Sequence, residues 1–293
     1  MSLGNKTMKH SIYQLMDEEN ECFTEFKIIG IGETGKKAIE VLSKNIHFIN
    51  DSNIAFHSID EEDDSALIQI QQFTLKHSLV IFLTDHLQKV KKMTHRVLYT
   101  DYIVITSQTF DEINKIRPYS TILSYCDAVV AQQKFADFPL QPNFEDTTTT
   151  FFYWTLRAIT DRLQTPGCKP GDYEEMACML FGANPIFVSV GVTIYDDCKN
   201  AVVNEVCEQA ISNLNKNKLT DYSLKMHGIL ATLSPPNSAN NYFGYGILEC
   251  DELFEKMESF ATGEAYSKCC IALQTDTNYA DCLMVMMLVS YTQ

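Results

Sequence analysis

The sequence predicts an α/β protein in unequal parts: a parallel-sheet N-terminal domain, a central core helix and a smaller α+β C-terminal domain. Three observations predict it. Segments that are apolar throughout, "KIIGI" at 27–31, "LVIFLT" at 79–84 and "YIVIT" at 102–106, alternate with helix-period stretches, the pattern of parallel strands buried on both faces. A linker-like run with two prolines and four threonines, "FPLQPNFEDTTTT" at 138–150, then interrupts the alternation. Beyond it lie a helix that is apolar all round and a region dominated by strands, with two helices. With 293 residues, 45% of them apolar, the chain has enough material for cores of this size.

Taken in order, Met1 to Gly4 read as a cloning remnant, and Ser11 to Glu25 as a short amphipathic helix carrying Ile12, Leu15 and Met16. Lys27 to Leu42 form a strand, a turn and a helix: Ile28, Ile29 and Ile31 are β-branched, and Ala38, Ile39 and Leu42 recur at helical spacing. "NIAFHSID" is a strand ending in the acidic run Asp60 to Asp64, and "HSLVIFLTD" is a buried strand with a polar end. A basic helix "HLQKVKKMTHRVL", the strand "DYIVIT", a helical stretch around Ile113 and the strand "CDAVVAQ" complete a first domain, placed at 21–149. The core helix is placed at 150–166, with Phe151, Phe152, Trp154, Leu156, Ile159 and Leu163 on all its sides and a stop at Thr165 to Gly167. The second domain, 167–293, reads as the strand "IFVSVGVTIYDD", the helix "CKNAVVNEVCEQAISNL" with Ala201, Val202, Val206 and Ile211 on its apolar side, and the strand "HGILATLS". An Asn-rich loop at 235–241 leads to the strand "YGILEC", the helix "DELFEKMESFA" and two last strands, "SKCCIALQT" and "DCLMVMMLVSY".

Composition narrows the function. A net charge of −15 with no Lys/Arg-rich block opposes binding to phosphate backbones, so nucleic acid is not an expected partner. The ten cysteines are scattered without a C-x-x-C pair and read as reduced thiols in a cytoplasmic protein. No apolar run reaches the roughly 18 residues that span a bilayer, and the N-terminus lacks a secretory pattern, so no direct membrane anchor is expected.

The chemistry concentrates at the first turn. Gly30, Gly32 and Gly35 follow the G-x-G-x-x-G spacing between a strand and a helix, the Rossmann-like arrangement that brings backbone N–H groups and a helix N-terminus to a phosphate. The same glycines also serve a tight strand-to-helix turn with no ligand, and both readings stay open. Gly30 and Gly35-Lys36 also fit G-x-x-x-x-G-K, but Lys37 stands where a P-loop needs a Mg²⁺-binding hydroxyl. Asp60 ends the second strand, where an acid can take a ribose hydroxyl. The other acids up to Asp64 read as a solvated loop, and Lys89, Lys91, Lys92 and Arg96 as the exposed face of a helix. His77, His86 and His95 share no helical face, no Cys/His group has zinc spacing, and no metal site is expected.

The order of elements and several strings resemble the tubulin/FtsZ superfamily of filament-forming GTPases over nearly the whole chain. "KIIGIGETGKKAIEVL" is similar to that family's first phosphate loop and helix, and "NIAFHSIDEEDDSAL" to its second strand and ribose-side loop. "ITDRLQTPG" at 159–167 resembles the end of its core helix, and 191–261 resembles the activation domain of FtsZ. The resemblance implies a GTP- or GDP-binding fold, with Mg²⁺, in which Gly30, Gly32, Thr34, Gly35 and Asp60 hold the nucleotide. It also implies that Asp172 and Glu175 act in trans on a neighbour's phosphate, with Pro170 standing where the family has Asn, although the two acids read equally as first-turn residues favouring a helix N-terminus. It further implies that the protein self-associates or meets an FtsZ-type partner in cell division or cytoskeletal assembly. Two departures accompany it. The family's glycine-rich signature after the next strand is replaced by "DHLQKVKK", Asp85 to Lys92, which has no glycine and adds a carboxylate. Counting back from Pro166 without gaps, the position of the acid that reads guanine falls near Thr150, which can hydrogen-bond but cannot supply a charge-assisted bond. With Gln293 just after the last strand, the tail by which FtsZ meets membrane adaptors is not expected. Three functions follow as expectations: a weak or vestigial GTPase, a non-catalytic FtsZ-fold interaction protein that caps or modulates a filament, or a dinucleotide-dependent enzyme using Asp60 on the ribose.

Overall fold

The computed structural model describes residues 25–45, 54–60, 78–85, 87–88, 90, 102–116, 128–132, 144, 146–164, 173–182, 185–194, 201–216, 224–234, 247–261, 269–273 and 282–292. The expected helix at 11–25, the acids 61–64, the basic residues Lys89, Lys91, Lys92 and Arg96, and Pro170 and Asp172 fall almost wholly outside these. Within them the elements are β1 (Glu25–Ile31), α1 (Gly32–Asn45), β2 (Ile54–Ile59), β3 (Ser78–Thr84), β4 (Tyr102–Thr109), α2 (Phe110–Ile116), β5 (Ala128–Gln132) and α3 (Thr147–Gln164). They continue as α4 (Tyr173–Leu180), β6 (Ile186–Ile194), α5 (Ala201–Asn215), β7 (Lys225–Ser234), α6 (Ile247–Phe260), β8 (Cys269–Leu273) and β9 (Cys282–Thr292).

The strands make one nine-stranded sheet in the order β2-β1-β3-β4-β5-β6-β9-β7-β8. From β2 to β6 all neighbours are parallel, and β9 runs antiparallel to both β6 and β7. Among the described residues, β5 meets β6 at one register pair, Val130 with Ile186. Because side chains alternate along each strand, each face of the sheet collects its own apolar layer. One layer unites Ile29 and Ile31 with Leu87, Phe110, Ile113, Val206, Leu253 and Tyr291, under α2, α5 and α6. The other unites Phe26 and Ile28 with Leu42, Trp154, Ile159, Met179 and Met286, under α1, α3 and α4. The α/β class, the mostly parallel sheet and the covered faces agree with the sequence reading.

The core helix behaves as its composition demands. Phe151, Phe152, Trp154, Leu156, Ile159 and Leu163 are all buried, and α3 touches α1, β4, β5, β6 and β9. It starts at Thr147, three residues before the expected Thr150, because Asp146 caps it: its carboxylate accepts from Thr148 N at 3.1 Å, Thr149 N at 3.2 Å and Thr149 Oγ1 at 2.9 Å. One expectation needs correction. Ile247 to Cys250, read as the end of a strand, open α6, since Cys250, Leu253 and Met257 share one helical face against the core. On α5 the buried face is Val203, Val206, Cys207, Ala210 and Leu214, with Ile211 half-buried. Val206 and Ile211 of the expected apolar side are on this face, and the side chains of Ala201 and Val202 lie outside the described residues.

Candidate functional site

In an open parallel sheet, ligands bind beyond the carboxyl ends of the strands, where successive connections leave in opposite directions. Here β1 lies between β2 and β3, so the crevice opens past β1 and β3. Ile31 is level with Ile59 on one side and Thr84 on the other. The next residues, Gly32, Asp60 and Asp85, therefore stand side by side at that edge.

The glycines divide the work of the turn. Gly32 has φ 74°, a left-handed conformation that a side chain would strain, and α1 begins with it. Gly30 and Gly35 face each other: a Cβ on Gly30 would lie 2.3 Å from Gly35 O, and one on Gly35 would lie 2.3 Å from Leu83 O. Their missing side chains let α1 rest directly on β1 and β3. Two of the three glycines are thus used by the fold itself.

The polar groups of this edge are engaged with one another. Thr34 Oγ1 donates to Asp85 Oδ2 at 3.3 Å, which places a carboxylate of the chain beside the first turn of α1. Lys36 Nζ pairs with Asp60, expected on a ribose; Asp60 is exposed and Lys36 half-buried. Past Asp85, Leu87 N donates to Gln108 Oε1 at 3.1 Å, so a side chain from the end of β4 takes a backbone N–H of the segment that follows β3. At α2, Thr109 and Glu112 close a reciprocal capping box, with Thr109 N to Glu112 Oε2 at 2.8 Å and Glu112 N to Thr109 Oγ1 at 3.4 Å. Thr150, at the guanine-reading position of the resemblance, donates its hydroxyl to Asp146 O at 3.3 Å.

Sequence reasoning assembled Gly30, Gly32, Thr34, Gly35 and Asp60 at one edge, and the structure places all five there. It missed Gln108 and the roles of Lys36 and Asp85 as partners of Asp60 and Thr34; a polar residue ending each apolar strand was the available signal. Glu175 lies elsewhere, in the first turn of α4, where Arg162 Nη2 donates to its Oε2 at 3.1 Å. Burial disfavours the thiolate at two cysteines, pushing Cys207 up to about 12 and Cys269 up to about 11. No helix among the described residues is long and apolar enough to cross a membrane.

No family model and no curated protein matches the sequence. Solved structures do match the fold. A W319Y mutant of FtsZ from M. jannaschii aligns at TM-score 0.63 and 10% identity, covering 96% of this chain and 95% of that one. TubZ of Bacillus thuringiensis serovar israelensis, solved as GDP-form protofilaments, aligns at TM-score 0.58 and 10% identity, covering 100% of this chain and 90% of that one. At such identity the likeness concerns architecture and not residues. The chain has the FtsZ/tubulin-type fold.

Proposed function

We propose that this protein is a divergent FtsZ-fold assembly protein that works through protein contacts, with the nucleotide site of the fold kept as a closed relic. The observation that carries this reading is the Thr34 to Asp85 contact in the crevice between β1 and β3. A carboxylate beside the first turn of α1 takes the favourable interaction that a phosphate would make with a helix N-terminus, and it repels a second anion. Gln108 on Leu87 N and Lys36 on Asp60 support it, because each is a contact a bound nucleotide would have to displace. These residues do not suit a triphosphate. Self-association, or association with an FtsZ-type chain in the cytoplasm, is the activity left to the fold, and the likeness to a protein solved as protofilaments supports it.

A weak GTPase is the second reading, favoured by the left-handed turn at Gly32, which keeps the local geometry of a phosphate loop. Isothermal titration of the stripped protein with GTP, GDP, ATP and NAD, each with Mg²⁺, separates the readings. The closed site predicts no heat with any of them, and light scattering or sedimentation that is the same with and without GTP. Guanine nucleotide binding in the micromolar range would overturn the proposal and restore the GTPase, while NAD binding alone would favour a dinucleotide enzyme.

A further inference from the structure

Arg162 is a charged side chain in an apolar layer, 1% exposed at the C-terminal end of α3. Its planar fork reaches two elements at once: Nη1 donates to Ala231 O on β7 at 2.8 Å, and Nη2 to Glu175 Oε2 on α4 at 3.1 Å. The other buried charges named on α3, Arg157 and Asp161, pair with each other at 2.8 Å. Glu175, 38% exposed, thus brings a negative charge to a guanidinium held out of water, and its removal would leave that cation without this partner. The opposite end of α4 is fastened by neutral groups, with Ser290 Oγ donating to Met179 O at 2.6 Å and Met176, Met179 and Leu180 buried. The first turn of α4 carries the charged contact.

We propose that Arg162 and Glu175 form a lock within one chain: Glu175 is a positioning residue that seats the first turn of α4 on α3 and β7, and its carboxylate is not presented to a second copy. This assigns Glu175 a role opposite to the trans-acting one implied by the resemblance. The lock is independent of whether nucleotide binds, so it can fail while the closed site stands, and the reverse.

Amide hydrogen exchange and sedimentation velocity on the full chain test it, comparing the unaltered protein with Glu175→Gln, Glu175→Asp, Arg162→Met and the double variant Arg162→Met/Glu175→Gln. The lock predicts that Glu175→Gln speeds exchange of the α4 amides roughly tenfold while β1 and β3 exchange as before. Glu175→Asp recovers part of that protection, the double variant exchanges in α4 no faster than Arg162→Met, and sedimentation is unchanged by Glu175→Gln. Unchanged α4 exchange in Glu175→Gln would overturn the lock. So would a loss of self-association in that variant with α4 exchange unaltered, which would return Glu175 to an interface. If Arg162→Met does not fold, Glu175→Gln and Glu175→Asp decide the matter alone.

Discussion

Gly35 shows how one residue can serve two readings of a motif. The G-x-G-x-x-G spacing was legible at once, but spacing does not say what fills the room a glycine leaves. Leu83 O and Gly30 fill it here, so the glycine is held by packing whether or not a phosphate ever binds. Gly35→Ala would drive a methyl into a backbone carbonyl that cannot move without shifting β3, and is expected to cost about 2–3 kcal/mol. Urea unfolding checks this: a midpoint lowered accordingly supports the packing role, whereas an unchanged midpoint would show that α1 can lift from the sheet. Asp85 is a second case. As a letter it was an extra negative charge in a loop lacking glycine; in space it is the partner of Thr34.

Among the elements, α3 was the most legible, because a helix that must be buried on every side advertises it in composition. Its start was less so. Phe144 and Asp146 sit in a proline- and threonine-rich run that reads as linker, yet Asp146 accepts three bonds from Thr148 and Thr149 and extends the helix to Thr147. Asp146→Ala should therefore destabilise the protein by about 1–2 kcal/mol and fray the first turn of α3. Thermal melting together with exchange at 147–150 would register both, and Asp146→Asn or Asp146→Ser should recover most of the loss. The start of α6 was misread for a related reason. "YGILEC" is short and apolar, and period alone cannot separate a strand from a buried helical turn at that length.

At the scale of the molecule, the two apolar layers run the length of the sheet and mix residues from both proposed domains. Phe26 and Met286 share one layer, Ile29 and Tyr291 the other, and α3 touches strands on both sides of the β5 to β6 junction. Such sharing predicts one cooperative transition in place of two. Trp154 is the chain's one tryptophan and is fully buried on α3, so its fluorescence follows the centre while far-UV circular dichroism follows the whole. The two urea curves should coincide; separate midpoints would mean that the halves fold independently.

By itself the sequence determined the α/β class, the alternation of buried strands with helices, the turn at Gly30 to Gly35 and the burial of α3. These are local: periodicity, glycine spacing and composition act over a turn or a strand. The tertiary structure alone decided which polar side chains meet, at the candidate site and beyond it. Thr34 meets Asp85 across 51 positions, Lys36 meets Asp60 across 24, and Arg162 meets Ala231 across 69. No period in the chain encodes such pairs. They are set by strand order and register, which place β3 beside β1 and β7 within reach of α3, and so they decide whether a charge left at a strand end faces a ligand or another side chain.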